Sequence, residues 1–494
     1  MFKRKRFFLF LVLFSISNCF IHAYSQSGFV YRYSTLNDEY PNDIIETNDG
    51  GFIVSISVGT YPIDYQTLLI RLNKNGDTIK TFKIGVPQGT CVINDLIKLD
   101  NGTFMGLGLK KPGSNPARLW LLTLSDSLTV VHDTTFSTIF YTCWNLLGFI
   151  NHLHDIIIYG DAIPYNDPGG PTHPFIFKIS QINDSLFSHY YTNPWGQIVY
   201  AMMEKQDTSG YLMSLEGSMN GSAANSPSQF ITFDSDFSIT KIDSLPGKLD
   251  AYQNTRKLND SDIILTGLRN FENSSPRTDK IGILKLDTSF HIKKEIFLGP
   301  DDTVTYPAYN TNLDLLNLQN IFLGGVVNQD WGGIFSYNKS YIILGKIDSS
   351  LNLKWQKYFG GDTYYMVWSI IATTDGGCII GASTNDFAIM GTQRDVYILK
   401  VDSNGLITGI HQPPTNTANN ILVYPNPGFD ILYVKTQLGN AIFQLYDLMG
   451  REVCNKDLIP GQNVLQVQNL NAGIYVYKVV KNSQMIECGK WIKE

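Results

Sequence analysis

A hairpin phrase that recurs about every fifty residues constrains this chain more than any other feature. Its clearest copies run from Tyr40 to Ser55 (YPNDIIETNDGGFIVS) and from Met366 to Gly381 (MVWSIIATTDGGCIIG). Each reads as a strand, an Asp-Gly-Gly turn and a second strand, the signature of a short-loop hairpin. Weaker copies surround Asp100-Asn101-Gly102, His154-Asp155, Ser209-Gly210, Asp260-Ser261-Asp262 and Gln319-Asn320, which makes seven. A second hairpin follows each, with phrases such as LIRLNKNG from Leu69, ILKLDTS from Ile283, LGKIDSS from Leu344 and ILKVDSNG from Ile398. Apolar and polar positions alternate up to an Asp or Ser turn, as half-buried strands require.

Four strands in each of seven units predict an all-β fold, a seven-bladed β-propeller over residues 26–411. The main rival, a right-handed parallel β-helix, has shorter repeats. The last unit lacks a good fourth strand, whereas Phe29 to Ser34 (FVYRYS) resembles Trp355 to Gly360 (WQKYFG), the outer strand of the sixth unit. The N-terminal strand is therefore expected to pair into the last blade and remove the edges an open ring would leave.

Composition supports an exported all-β protein. The chain has 42 Gly, 27 Tyr and 28 Phe against 17% charged residues, favouring turns and aromatic strands over helices. A net charge of -6, with Lys and Arg scattered, argues against a nucleic-acid partner. Lys3 to Arg6 followed by apolar Phe7 to Ile16 reads as a signal peptide over 1–25, cleaved before Gln26. No later segment holds about 18 uninterrupted apolar residues, so no stable membrane insertion is expected. Cys91, Cys143, Cys378, Cys454 and Cys488 would remain, an odd set at wide spacings that is no disulfide framework. Cys91 and Cys143, at near-equivalent places in neighbouring blades, can approach each other; no bridge is assigned.

After a linker of Pro, Thr and Asn over 412–420 come three ordered phrases. They are ILVYPNPGFDILYV from Ile421, FQLYDLMGREV from Phe443, and LNAGIYVYKV from Leu470 with Lys490 to Glu494 at the end. Together they resemble the type A sorting domain of type IX secretion substrates, carried by Tyr424, Pro425, Asn426, Pro427, Gly450, Arg451, Gly473 and Tyr475. The resemblance implies that the type IX secretion machinery recognises a folded domain over 421–494, then usually removes it. The cargo is then released or attached to surface glycolipid. Read physically, the same residues describe a small Ig-like β-sandwich with turns at Asn426-Pro427-Gly428, Met449-Gly450-Arg451 and Asn471-Ala472-Gly473.

No phosphate loop, zinc-binding helix motif or Gly-x-Ser-x-Gly elbow is present, so no catalytic nucleophile, metal site or cofactor is expected. His152 and His154 with Asp155 read as an exposed polar turn rather than metal ligands. The Asp-Gly-Gly turns read as hairpin chemistry, because calcium-loop spacing and sialidase repeats do not match. Asp-Ser-Leu at 126–128, 184–186 and 243–245 resembles the O-glycosylation acceptor of bacteria with this secretion system, and turn composition accounts for it equally well.

Loop length is asymmetric. The first and third turns of each unit are tight, whereas the second turns are long, at 59–66, 108–118, 160–174, 217–229, 268–279, 327–340 and 384–394. Long loops are more often kept for function, so their face is the candidate binding surface. Its aromatics Tyr61, Tyr65, Tyr165, Phe271, Trp331, Phe335, Tyr337 and Phe387, among polar neighbours, suit a glycan or a peptide. Two functions remain: a binding or adhesion module for an extracellular ligand, or an extracellular carbohydrate-active enzyme (glycosidase or lyase) with its site on that face. A deep central pocket with carboxylates about 5–10 Å apart favours the enzyme, a plugged channel the binder.

Overall fold

The structure is a computed structural model that describes residues 28–493 apart from 61–62, 87, 114, 165–169, 181–185, 192–196, 206, 218–227, 246–248, 271–277, 330–337, 386–392, 408–420, 425–427, 437 and 482–483. The expected signal peptide and the 412–420 linker lie outside the described residues. Regular structure among the described residues is strand throughout, paired antiparallel within every sheet.

One blade shows the plan. Asp38–Glu46, Phe52–Thr60, Ile63–Leu72 and Thr78–Ile84 pair in sequence order, and the same order recurs at 197–245 and 251–298. In the 305–360 blade the innermost position is split, with Thr305–Pro307 and Leu313–Asn317 both pairing Asn320–Val327. Between 90 and 190 a seven-stranded sheet joins two such units, because Val130–Ile150 pairs first with Ala117–Leu124 and then with Ile156–Pro164. Phe140 stands opposite both Ala117 and Pro164, where that strand passes from the outside of one blade to the inside of the next.

The ring is closed as the sequence leads one to expect. Phe29–Tyr33 is the fourth strand of the sheet built from Tyr364–Ala372, Cys378–Asn385 and Arg394–Val401, with Tyr31 opposite Ile398. The propeller's apolar clusters lie between blades rather than inside them. One joins Ile53 and Leu69 to Cys91, Phe104 and Trp120, the next joins Leu107 and Leu121 to Ile158 and Phe175, and another packs Phe29, Ile56 and Ile70 on Ile379 and Ile398. The last of these spans the two ends of the propeller chain. Because a middle strand meets a neighbouring blade on each side, both of its faces are buried. Phe52 to Val58 is buried at every position, and so is Leu69 to Leu72, where the phrase LIRL led one to expect alternation. Each fully buried Leu, Ile or Phe contributes about 1.5–3 kcal/mol.

The tight turns are held by their own side chains. Asp402 Oδ1 accepts from the backbone N–H of Asn404 and Leu406, Asp348 Oδ1 from Ser350 and Asn352, and Asp287 Oδ1 from Ser289 and His291. The fourth residue of these turns adopts positive φ: Gly76 and Gly405, but also Leu128, Leu351, Phe237 and Phe290. The first three of those side chains are at most 4% exposed where they are Leu128, Leu351 and Phe237, so burial offsets the backbone strain. Gly76 has no such choice, because a Cβ there would overlap the Phe29 ring of the closing strand.

A recurrent basic residue in the third strand ties the turns together. Arg71 donates to Asp49 of its own first turn and to Asp126 of the next blade's third turn. Lys285 pairs with Asp262 and donates to the Ser349 carbonyl, Lys346 donates to the Ser403 carbonyl, and Lys400 pairs with Asp375.

The 421–493 segment forms two sheets, Leu422–Tyr424 with Ile431–Thr436 and Gly461–Gln466, and Glu452–Leu458 with Ala441–Tyr446, Gly473–Lys481 and Gln484–Lys493. Leu432, Val434, Phe443, Leu445, Val479 and Trp491 form its core, so here the strands do alternate between buried and exposed positions.

Candidate functional site

Most innermost strands carry a register shift at a matching place. The shifts fall at Asn42, Asn94, Trp144, Tyr200, Tyr252-Gln253 and Trp368, while the 305–360 blade has the whole excursion 308–312 instead. A bulge turns the extra residue out of the ladder. The innermost strands run from the long-loop end towards the tight turns, so residues early in them lie near that end.

At that end Asp38 and Arg394 form a buried pair, with side chains 4% and 3% exposed. Arg394 donates through Nε to Asp38 Oδ1 at 2.8 Å and through Nη2 to Oδ2 at 2.5 Å, and Tyr65 donates its hydroxyl to Oδ2 at 2.5 Å. Burial alone would lower the Arg394 pKa, but the bonds and charge of Asp38 raise it. The guanidinium lies over Tyr40, 4.3 Å from the ring centroid. Tyr40 stacks on Trp368 at 4.9 Å, and Trp368 meets Tyr309 at 5.5 Å. Tyr40, Trp368 and Tyr309 are each half-buried.

The excursion 308–312 crosses the axis beside this stack. Its backbone pairs with the Tyr364–Ala372 strand, through Tyr309 N–H to the Val367 carbonyl and Asn310 N–H to the Trp368 carbonyl. The Asn310 side chain donates to the Asn42 carbonyl, and its backbone carbonyl accepts from Asn254 Nδ2. It thus links the 38–84 and 251–298 blades, which are not neighbours.

Nearer the tight turns lie paired carboxyls. Asp43 accepts from Leu96 N–H and Asp95 from Gly148 N–H, each reaching into the following blade. Burial raises both pKa values, and the two carboxyls are hydrogen-bonded to each other. Asp161 repeats the device, accepting from Val199 N–H and Asn145, and burial pushes it up to about 7. Asp314 accepts from Ala372 N–H and lies 3.7 Å from Arg256.

Of the eight aromatics expected on the binding face, only Tyr65 is described, and it is 7% exposed, inside the Asp38 pair rather than on the rim. Tyr61, Tyr165, Phe271, Trp331, Phe335, Tyr337 and Phe387 lie outside the described residues. Two of the long segments are shorter than expected. Phe52–Thr60 and Ile63–Leu72 leave two residues between them, and Phe104–Lys111 and Ala117–Leu124 leave five, because the flanking strands extend further than the polar sequence suggested. The connections 218–227, 270–279 and 328–340 are long.

The imidazoles of His152 and His154 diverge, the first to Glu204 at 2.5 Å and the second to Asp100, in different neighbouring blades. Asp126 of the first Asp-Ser-Leu phrase is engaged by Arg71. Cys91 and Cys143 are free thiols, raised by burial, Cys91 to about 11.

In the C-terminal sandwich, Tyr424 ends a strand opposite Tyr433, and Pro425, Asn426 and Pro427 lie outside the described residues. Gly450 takes φ +78° in a turn that Asp447 closes by accepting from the Met449 and Arg451 N–H groups and from Arg451 Nε. Gly473 opens the next strand, and the buried Tyr475 packs on Trp491 while donating to the Asn471 carbonyl. Residues 422–494 match the family described as the secretion system C-terminal sorting domain. The chain carries a type IX sorting tail. That tail marks the protein for the type IX machinery and for export to the cell surface or the extracellular space. No helix among the described residues is long and apolar enough to cross a membrane.

No curated protein matches the chain. Among solved structures it is similar to Drosophila Semaphorin 2a, with 8% identity over 94% of this chain and 97% of that one and a TM-score of 0.45. It is similar to the β-propeller domain of the Trilobed protease from Pyrococcus furiosus, with 8% identity over 76% and 98% and a TM-score of 0.43. An α-L-arabinofuranosidase from Fusarium graminearum gives 9% identity over 64% and 93% and a TM-score of 0.41. Likeness this low passes no ligand or activity to this chain.

Proposed function

We propose that the exported part of this protein, residues 26–411, is a seven-bladed propeller that acts as a binding or adhesion module, taking a glycan or peptide on its long-loop face. The observation that carries this reading is the closed axis at that face. Arg394, Tyr40, Trp368 and Tyr309 stack in one column, and Asn310 bridges blades on either side of it. A ligand arriving there meets a half-exposed aromatic floor of Tyr40, Trp368 and Tyr309. Aromatic floors of this kind suit the apolar faces of sugars and side chains. The axial carboxyls, which a hydrolase would need facing its substrate, are instead engaged by backbone N–H groups.

An array of glycans and peptides probed with the mature chain tests the reading. A hit should weaken about ten-fold or more in Trp368→Ala, and less in Trp368→Phe, which keeps an aromatic face. Undiminished binding by Trp368→Ala and by Trp331→Ala would overturn it, and hydrolysis of an array member would favour the glycosidase instead.

A further inference from the structure

At the long-loop end of the 90–136 unit, away from the axis, lies a cavity of about 260 Å³ lined by Lys110, Pro112, Asn115, Arg118 and Thr135. We propose that this cavity is a subsite for an anionic group on a saccharide, a uronate carboxylate or a sulfate ester. The proposal rests on the reading of this face as the ligand face and names the chemistry of one part of it.

The register of two strands carries it. Lys110 and Arg118 stand directly opposite each other in the pairing of Phe104–Lys111 with Ala117–Leu124. Directly opposed residues of an antiparallel pair project to the same side, and like charges so placed are destabilising. Only one of the two is compensated. Lys110 Nζ lies 2.7 Å from Asp133 Oδ1 and 4.3 Å from the Trp120 ring centroid, and Trp120 Nε1 also donates to Asp133. That network fixes the ammonium in place. Arg118 is the one exposed residue of its strand, and its side chain makes no hydrogen bond or ion pair among the described residues. A guanidinium held beside a fixed ammonium, with no carboxylate of its own, presents a planar fork suited to a carboxylate or sulfate.

The surroundings fit a sugar better than a bare ion. Asn115 and Thr135 offer polar groups for hydroxyls, and Pro112 an apolar edge. The volume lies just below the usual range of about 300–1,000 Å³ for whole ligand sites, which suits one charged ring of a longer chain. Asp133 sets the balance: it anchors Lys110 but also draws on its charge.

The test uses the full mature chain with three probes: tetragalacturonate, a sulfated galactan tetrasaccharide and neutral galactotetraose. At least one charged probe should bind about ten-fold or more tightly than the neutral one, and weaken between about 50 and about 500 mM NaCl. Arg118→Gln should weaken that probe by about ten-fold, and Asp133→Asn, which keeps an acceptor for Trp120, should strengthen it several-fold. Whichever charged probe wins distinguishes carboxylate from sulfate. Equal binding of neutral and charged probes, or charged binding untouched by Arg118→Gln, overturns the anionic subsite while leaving the ligand face standing. Binding of none of the three, with peptide hits on the array, overturns the subsite alone; an array without any hit removes the ligand face as well.

Discussion

Asp43 and Asp95, on innermost strands of adjacent blades, are hydrogen-bonded carboxyl to carboxyl while each accepts a backbone N–H from the following blade. Burial, and for Asp43 the charge of Asp95, raise the pair, with Arg256 drawing Asp95 partly back. Asp161, up to about 7, and Glu39, up to about 8 through burial, behave alike. For such groups the folded state holds protons that the unfolded chain has released, so their stabilising effect is complete below about pH 4 and is lost as pH rises through the folded values. Asp49 and Asp262, lowered to about 2, act oppositely and lose theirs as pH falls towards that value. The propeller should therefore melt highest at mildly acid pH and lower at about pH 8. Asp43→Asn, uncharged at every pH, should flatten that slope; melting curves at about pH 5 and about pH 8 decide, and an unchanged slope would remove the pair from the account.

The closing strand makes a second prediction. Phe29 is 2% exposed, packs 6.0 Å from the Phe52 ring and fills the space over Gly76. Phe29→Ala should cost about 3–5 kcal/mol, and deletion of residues 26–36 should expose the edge of Arg394–Val401 and cause aggregation. A deletion with unchanged melting temperature would mean that the ring holds without its fourth strand there.

The hairpin phrases and the closing strand were legible because they are local: a turn needs Gly or Asp at fixed positions, and a missing fourth strand leaves a visible deficit. What stayed hidden depends on pairing between distant segments. The recurrence of Asn-Asp at 42–43 and 94–95, four residues ahead of the turn opening, was the available signal for the bulge and its carboxyl. The basic residue in LIRL, ILKL, LGKI and ILKV was likewise visible, but its partners Asp49, Asp126, Ser349 and Ser403 lie in other turns. Tyr65 looked like a rim aromatic because nothing in the sequence joins it to Asp38 and Arg394, which are far apart along the chain. Lys110 and Arg118 meet only through a strand register that their polar flanks concealed.

The clamp itself can be tested. Arg71 has a side chain 4% exposed and reaches two turns at once, whereas the Asp49 and Asp126 side chains are 59% and 38% exposed. Because the carboxylates can be hydrated when the cation is removed, Arg71→Met should cost only about 1–2 kcal/mol, mostly from lost bonds to the Asp126 and Leu72 carbonyls. A double-mutant cycle with Asp126→Asn should show coupling below about 1 kcal/mol; a much larger value would make the bridge a principal support of the blade interface.

The last prediction separates the two cores. Trp491 is fully buried among Phe443, Leu432 and Tyr475, and beside it Lys493 holds the 428–430 turn through the Phe429 carbonyl at 2.7 Å. Trp491→Ala should cost about 3–5 kcal/mol, comparable with the whole stability of so small a domain, and so unfold the sorting tail. The propeller clusters contain no residue of that core, so the melting of the larger domain should stay where it was. If the type IX machinery reads a folded tail, the variant should accumulate in the periplasm, as should a chain ending before Ile421, with the propeller intact in both. Normal surface or extracellular levels of Trp491→Ala, together with a lost tail transition in calorimetry, would show that the machinery reads the tail's sequence rather than its fold. A single melting transition shifted as a whole would instead mean that propeller and tail fold as one unit.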